Sequence, residues 1–206
     1  GLGIFQFTIT IMLLIGVFVI HSQTQYLNTK PIGYNRDNVI SFDQSGEIAQ
    51  QQEVFFNELE KLPGVVNAGA TSHSLLGQDS SNPGVSWEGK SPEERHVFER
   101  FFVDVDFYET MAFGMAEGRW FDDKFVTDNT KIIVNEAAAR VMGLSAQAAL
   151  GRDLQLWEGA NFEIIGVLQD FHYRSLHESV LPAYFRLGGT GRVVARLEAG
   201  RESETL

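Results

Sequence analysis

Residues 84–91, GVSWEGKS, match the pattern G-x-x-x-x-G-K-[ST] of a phosphate-binding loop. Such a loop needs a buried apolar strand before its first glycine and a helix beginning at its lysine, so that backbone N–H groups converge on the phosphates. The segment before Gly84 is DSSNP, which is too polar for a buried strand, and residues 85–88 alternate like a surface strand. A helix opening at Pro92 is the one feature in favour of the match. We therefore reject nucleotide binding here.

Two histidine-containing segments are candidates for metal binding or nucleophilic catalysis. His172 and His177 are five residues apart, whereas a metal-binding helix places its histidines four apart. Ser72-His73-Ser74 puts a nucleophile beside a base, but neighbours on a strand point to opposite faces. We predict no catalytic residue, no cofactor-binding residue and no metal ligand from these segments.

Asp104 with Asp106, and Asp122 with Asp123, are candidate carboxylate pairs for acid–base chemistry. The chain has 27 Asp plus Glu against 16 Lys plus Arg, a formal net charge of −11, so solvated surface is the expected role of these pairs. So acidic a surface repels phosphate backbones, which excludes a nucleic-acid partner. There is no cysteine, which excludes thiol catalysis. We expect no enzymatic activity and no cofactor.

The elements that carry these residues follow an uncharged stretch of 21 residues, GLGIFQFTITIMLLIGVFVIH. Its length matches the roughly 30 Å apolar core of a bilayer, so we predict a transmembrane helix over residues 1–22 and a connector over 23–37. A buried core helix and a secretory signal peptide are the alternatives; the first is normally shorter, and the second needs a basic start and a small-residue cleavage site. Membrane lipid is therefore an expected partner.

Gly3, Gln6 and Thr10 fall on one face of this helix at helical spacing. Gln in hydrocarbon is costly unless it is paired, and small residues let helices approach closely. This favours a helix packed in a bundle with others, and the alternative is a single anchor that tolerates Gln6.

Beyond the connector, periodicity predicts many strands with a few helices between them. Val97 to Val105 is apolar at every odd position, and Asn135 is placed to cap a helix that ends at Gly143. Further strands are predicted over 38–42, 65–70, 85–88, 131–134, 154–157, 162–168, 183–187 and 192–198, and further helices near 48–62 and 107–113. We predict an α+β domain over 38–206, with two lobes.

A series of short motifs runs along the chain: a Gly-Tyr exit before Val39-Ile40, LPGV at 62–65, FYETM at 107–111, GRWF at 118–121, IVNEAA at 133–138, GR at 151–152, IGVLQDFH at 165–172, SLHE at 175–178 and Pro182. Each motif alone is weak, but their order covers nearly the whole chain. In this order they resemble the extracytoplasmic core domain of FtsX-like and MacB-like ABC transporter permeases, together with the helix that precedes it.

The resemblance implies a role without catalysis. Gly118, Gly151 and Pro182 are expected to fix backbone geometry, and Asn135 to cap a helix. The opening FQFTITI resembles the helix that starts the second half of permeases with two such repeats, so we expect an interior fragment that stops before the next transmembrane helix. Implied partners are a cytoplasmic ABC ATPase subunit, a permease dimer partner or second repeat, and a periplasmic adaptor or substrate.

The implied function is a permease segment in the bacterial inner membrane whose main domain faces the periplasm. It would couple ATP hydrolysis by the partner to efflux, to lipoprotein or peptide export, or to mechanotransmission. The alternative is the extracytoplasmic ligand-sensing domain of a membrane receptor. A membrane-anchored hydrolase ranks third because the sequence contains no triad or metal set.

Overall fold

The computed structural model describes residues 1–29, 32–46, 51–75, 80–156, 159–174, 178–189 and 191–200. The chain divides into two units, Gly1–Ile32 and Gly33–Leu206. The first unit contains one helix, α1 (Leu2–Thr29). Its segment Gly3–Gln25 is long and apolar enough to cross a membrane, and its apolar side chains are exposed. At a rise of about 1.5 Å per residue, 23 residues span about 35 Å.

The helix is longer than the sequence predicted, so residues 23–29 of the expected connector are helical. The hydroxyl of Thr24 donates to the carbonyl of Ile20 at 2.9 Å, which is compatible with continued helix. The sequence contains no helix-breaking residue until Pro31, which disfavours helical geometry in the residue before it.

The second unit alternates short strands with short helices. Its strands are β1 (Val39–Asp43), β2 (Val65–Thr71), β3 (Ser81–Asn82), β4 (Ser86–Trp87), β5 (Phe98–Val103), β6 (Met115–Gly118), β7 (Lys131–Asn135), β8 (Asp153–Gln155), β9 (Asn161–Leu168), β10 (Ala183–Leu187) and β11 (Arg192–Leu197). Its helices are α2 (Gln52–Leu59), α3 (Phe107–Met111), α4 (Glu136–Val141) and α5 (Ala146–Ala149), with a 3-10 helix over Val126–Thr130.

The described strands form one mixed sheet. The order is β1-β11-β2-β5-β10-β7-β9-β8-β4, with β3 beside β5 and β6 beside β9. Strands β5 with β10 and β7 with β9 pair in parallel, and the other pairs are antiparallel. In the sequence, α4 and α5 lie between the parallel strands β7 and β9, as expected for a crossover between parallel strands.

The central strands are buried on both faces. One face packs under α4 and α5 through Val134, Ile164 and Tyr184. The side chains that alternate to the opposite face of the sheet contribute to an aromatic cluster. Its Phe101 and Phe185 rings stack at 5.0 Å, and its further members are Phe107, Phe113 and Phe171. A separate small cluster lies where α2 covers β1, β11 and β2.

Most of the long strands lie where the sequence predicts them. The strands at 38–42, 65–70, 131–134, 183–187 and 192–198, and the antiparallel pairing of β8 with β9, are confirmed within a residue or two. The helix predicted near 48–62 is described only as Gln52–Leu59, and Ile48 lies outside the described residues. Strands β3 and β6, helix α5 and the 3-10 helix were not predicted.

The two predicted lobes are not separate compact units. Gly33–Leu206 is one compact unit, because β5 and β10 join the strands on either side into a continuous sheet. These two strands are distant in sequence and pair in parallel, so no local pattern signals their contact.

Candidate functional site

The chain enters and leaves the second unit at neighbouring points. Its first strand, β1, pairs antiparallel with its last, β11, so that Val39 lies opposite Arg196. Just before β1, the carbonyl of Asn38 accepts a hydrogen bond of 2.8 Å from the N–H of Leu197. The segment that leads into the domain therefore lies directly beside the end of its final strand.

Arg196 joins these two points through its side chain. Its guanidinium donates to the carbonyls of Asn35 at 2.7 Å, Asp37 at 3.0 Å and Thr110 at 2.9 Å. Burial lowers the pKa of Arg196 and the charge of Asp37 opposes that effect, while an arginine remains protonated at neutral pH. The last strand is thus fixed to both the entry segment and α3. We call residues 33–38 together with Arg196 the entry–exit junction.

The start of the junction is packed into the aromatic cluster. Tyr34 is buried, with its ring 5.6 Å from that of Phe113 and 6.4 Å from that of Phe171, and burial raises its pKa. Gly33 has a φ of +86°, and a Cβ there would lie 2.3 Å from the carbonyl oxygen of Asp170. Only glycine fits both requirements. The Gly-Tyr motif therefore anchors the entry segment in the core.

Two of the recognised motifs are in direct contact. Asp170, from IGVLQDFH, accepts the N–H of Ala137 at 2.8 Å and pairs with Arg140. In return, the N–H of Asp170 donates to Glu136, from IVNEAA, at 3.1 Å. The motifs hold the start of α4 against the end of β9, beside the point where Gly33 packs.

Asn135 is fully buried and uses both ends of its amide. Its Oδ1 accepts the N–H groups of Ala138 at 3.0 Å and Ala183 at 2.9 Å, and its Nδ2 donates to the carbonyl of Leu181 at 2.9 Å. The predicted helix cap is confirmed, and Asn135 also joins α4 to the start of β10.

The positions expected to fix backbone geometry do so where glycine is required. Gly118 has a φ of +79°, and a Cβ there would lie 2.3 Å from the carbonyl oxygen of Ile165; Gly151 also has a positive φ. The carbonyl of Pro182 accepts the N–H of Glu99 at 2.9 Å and so begins the β5–β10 contact.

The segment that matches a phosphate-binding loop has a different geometry. Ser86 and Trp87 form β4 and pair with β8, so the residues that would cradle phosphate are extended. Lys90 donates to the carbonyl of Val85 at 2.5 Å and lies over the Trp87 ring at 5.1 Å. The lysine therefore stabilises its own turn.

Ser72 and His73 are in contact, contrary to the prediction that they point apart. Strand β2 ends at Thr71, so both residues lie in a bend where strand alternation no longer applies, and Ser72 Oγ is 2.8 Å from His73 Nδ1. The far nitrogen, His73 Nε2, lies 3.7 Å from Oε1 of buried Glu99, which is too long for a hydrogen bond. Ser72 Oγ also accepts the N–H of Phe102 at 3.2 Å. The arrangement orders the bend, and no acid among the residues that the structure describes is hydrogen-bonded to His73 Nε2.

The members of the two carboxylate pairs differ in their exposure to solvent. Asp104 is not the solvated residue that was expected: it accepts the N–H groups of Ala70 at 2.6 Å and Phe107 at 2.9 Å, and burial raises its pKa to about 7. Asp106 and Asp123 are exposed, as predicted, and Asp122 accepts the N–H of Lys124 at 3.0 Å. Asp104 therefore joins β2 to α3, and the pairs form no shared site.

His177 lies outside the described residues, so its spacing from His172 has no structural counterpart here. Within the described ranges, no group of three or more His, Asp or Glu side chains is placed to hold a metal ion.

Sequence reasoning missed the ion pair between Arg119 and Asp128. Asp128 is fully buried, and both of its oxygens accept from the guanidinium at 2.7 Å, which lowers the pKa of Asp128 and raises that of Arg119. The Arg119 guanidinium also lies over the Phe125 ring at 4.6 Å. The GRWF motif contains the arginine, but the partner lies on a 3-10 helix that no pattern predicted.

A depression of about 690 Å³ lies beside β4 and β8, with Trp87, Met142 and Leu144 in its lining. Its charged side chains are solvated: Glu88 is 92% exposed and Arg152 57% exposed, with 3.7 Å between them. This differs from the enclosed, mostly apolar sites that bind small ligands.

Both the sequence and the fold of this chain match known domains of one family. A sequence profile described as MacB-like periplasmic core domain matches residues 5–203. The chain belongs to this family. No curated protein sequence matches it. The match spans the apolar helix as well as the domain, so this member is a MacB-like periplasmic domain of ABC transporter permeases with an N-terminal helix able to cross a membrane.

Three solved structures share the fold of this MacB-like domain. The periplasmic region of MacB from Actinobacillus actinomycetemcomitans has 14% identity and a TM-score of 0.53, covering 84% of this chain and 79% of that one. The extracellular domain of the ABC-type transporter YknZ from Gram-positive bacteria has 16% identity and a TM-score of 0.53, with 82% and 88% covered. A domain assigned to a permease protein of Porphyromonas gingivalis has 19% identity and a TM-score of 0.53, with 82% and 77% covered.

Proposed function

We propose that this chain is a segment of an ABC transporter permease that couples ATP hydrolysis by a separate cytoplasmic ATPase to conformational work outside the membrane. The observation that carries the proposal is the family match over 5–203, which covers most of the apolar helix together with the core domain. The proposal places residues 1–22 in the bacterial inner membrane, residues 23–37 in a connector and residues 38–206 in the periplasm.

The entry–exit junction supports a mechanical role. A domain inserted between two membrane helices needs its first and last strands close together, and β1 and β11 are hydrogen-bonded neighbours. Arg196 adds three hydrogen bonds between the last strand and the residues around the entry. A displacement applied at residues 33–38 or at β11 would therefore reach the sheet through hydrogen bonds.

The packing behind the junction is suited to transmitting such a displacement. Gly33 contacts Asp170, which holds the start of α4, and Asn135 at the same helix start is bound to β10. Close-packed interiors transmit strain instead of absorbing it. Work on a substrate, an adaptor or a second permease copy would then be done by rigid movement of the domain.

The rival function is a ligand-sensing domain of a membrane receptor. The depression beside β4 and β8 would be its ligand site, but the exposed charges of Glu88 and Arg152 give it no enclosed binding surface. A receptor would be followed by a second helix and a signalling module, whereas a permease continues into further helices.

The test is purification of the tagged protein from its native host in mild detergent, with mass spectrometry of the proteins that accompany it. The proposal predicts a stoichiometric ABC ATPase and ATP turnover in the preparation. Recovery of a kinase or response module on the same chain, without any ATPase, would favour the receptor and contradict the proposal.

A further inference from the structure

The outer side of β1 is an open sheet edge within the described part of the chain. The hydrogen bonds Leu197 to Asn38 and Gln44 to Gly191 flank the strand, so the even-numbered residues between them face β11. By the alternation of an antiparallel ladder, residues 39, 41 and 43 direct their N–H and C=O groups away from β11. Of these donors, the N–H of Val39 is used locally, at 3.3 Å from the carbonyl of Arg36. An edge of this kind is a template for another strand.

The two faces of β1 differ in a way that fixes how an added strand would lie. Ile40 and Phe42 pack under α2. Val39, Ser41 and Asp43 share the other face with their register partners Arg196, Val194 and Arg192. Because side chains alternate, every second residue of a strand added beside β1 would lie on this second face.

That second face contains a small apolar cavity. Its volume is about 120 Å³, and its lining includes the buried side chains of Tyr34, Thr71, Leu75, Met111 and Val194, together with exposed Ser41 of β1. Ligand pockets for small molecules are typically about 300–1,000 Å³, so this cavity is too small for one. It is large enough for a single apolar side chain, which is how strand-addition sites acquire specificity.

Two arginines border the cavity. Arg36 is exposed and makes no ion pair with any residue that the structure describes, and Arg192 is bound to Asp43 at 2.6 Å. Because the charge of Arg192 is paired with Asp43, Arg36 is the guanidinium left to attract a carboxylate of a ligand.

We propose that the β1 edge is a docking site for an extended acidic segment of another protein. The segment adds a strand beside β1, places one apolar side chain in the cavity next to Ser41, and directs a carboxylate two residues away to Arg36. This inference does not depend on coupling to an ATPase, so the two proposals can fail separately.

The test uses the full chain in detergent micelles and fluorescein-labelled peptides of about seven residues, in which Leu or Phe is scanned along a Thr background with Glu two residues to either side. Anisotropy should show saturable binding of at least one peptide, and hydrogen exchange should slow at residues 39–43. Replacing the peptide Glu by Lys should abolish binding.

Four variants test the geometry. Arg36→Glu should weaken binding by about tenfold or more, and the matched reversal at exposed Arg95, Arg95→Glu, should leave it unchanged. Ser41→Pro removes an outward N–H without breaking the β1–β11 ladder, so it should also weaken binding, whereas Ser41→Ala should not.

Three results would overturn the proposal. In the first, no peptide of the set binds saturably. In the second, the peptide binds Arg36→Glu and Ser41→Pro as strongly as it binds the unmodified chain. In the third, sedimentation shows that the chain without peptide is a dimer that Ser41→Pro converts to monomer, which would assign the edge to a second copy.

Discussion

Asn38 and Leu197 are hydrogen-bonded neighbours, although they lie as far apart in the sequence as Asp37 and Arg196 beside them, which are 159 positions apart. The contact closes the ladder between the first and last strands of the domain. It holds the first and last described strands of the domain together, and the side chain of Arg196 reinforces that contact with three hydrogen bonds.

Arg196→Gln should destabilise the domain by about 1–3 kcal/mol, because several carbonyls lose a charged donor in a partly buried position. Urea unfolding of the full chain in detergent micelles, followed by tryptophan fluorescence, measures the loss. Arg152→Gln is the control: its side chain is 57% exposed, and it should change stability by less than about 0.5 kcal/mol. Equal effects of the two substitutions would show that the junction adds no stability.

Gly33→Ala should be far more damaging than Gly89→Ala. The two glycines have φ values of +86° and +87°, so a left-handed alanine costs about 1 kcal/mol or more at either position. At Gly33 the new Cβ would also meet the carbonyl of Asp170 at 2.3 Å, whereas at Gly89 it meets nothing within 4 Å. We expect an additional loss of about 2 kcal/mol at Gly33, measured by the same unfolding experiment. A smaller loss at Gly33 than at Gly89 would contradict the packing described for the entry segment.

The pH dependence of stability should contain a contribution from Asp104. Burial raises its pKa from 3.8 to about 7, so between these values the folded protein binds more protons than the unfolded chain. The associated stability is complete below about pH 4, falls by at most about 1.4 kcal/mol per pH unit as pH rises, and is gone above about 7. Asp104→Asn should therefore flatten the change in unfolding free energy between about pH 4 and 7.

The control for this experiment is Asp123→Asn at an exposed position, which should retain the slope of the unmodified protein. If Asp104→Asn also retains that slope, the carboxyl of Asp104 is ionised throughout this range, and its burial does not have the effect described.

Gln6→Leu should weaken association with neighbouring membrane helices, because an amide in hydrocarbon gains about 0.6–2 kcal/mol from a partner across a helix interface. The measure is the fraction of assembled complex recovered in mild detergent. Thr10→Val is the matched control, since the Thr10 hydroxyl already donates to the carbonyl of Gln6 at 2.9 Å within its own helix. Unchanged recovery with Gln6→Leu would favour a single anchor.

The sequence predicted those parts of the fold that depend on local patterns. Alternation located β1, β5 and β9, the amide of Asn135 located the start of α4, and an uncharged stretch located α1. The short strand β6 was missed because it has no alternation and is held by pairing with β9. The contact of Ser72 with His73 was missed because the end of β2 is set by tertiary structure, and strand geometry was assumed beyond it.

The contacts of the entry–exit junction also could not be predicted from local sequence patterns. The motif Gly33-Tyr34 was recognised, but neither its packing on Asp170 nor the role of Arg196 has a local signal, because the partners are distant in sequence. Asp104 was predicted to be solvated from overall composition, which carries no information about which carboxylate accepts two backbone N–H groups.

The most direct test of the account is whether nucleotide at the ATPase moves the domain relative to the membrane helix. The chain contains no cysteine, so cysteines introduced at Ser22 in α1 and at exposed Glu93 are its two sites for spin labels, attached to the purified chain before the complex is assembled. Electron–electron distance measurements on the native complex should show different distance distributions with ADP and with trapped ATP. Identical distributions in the two states, in a preparation that hydrolyses ATP, would contradict the proposed coupling.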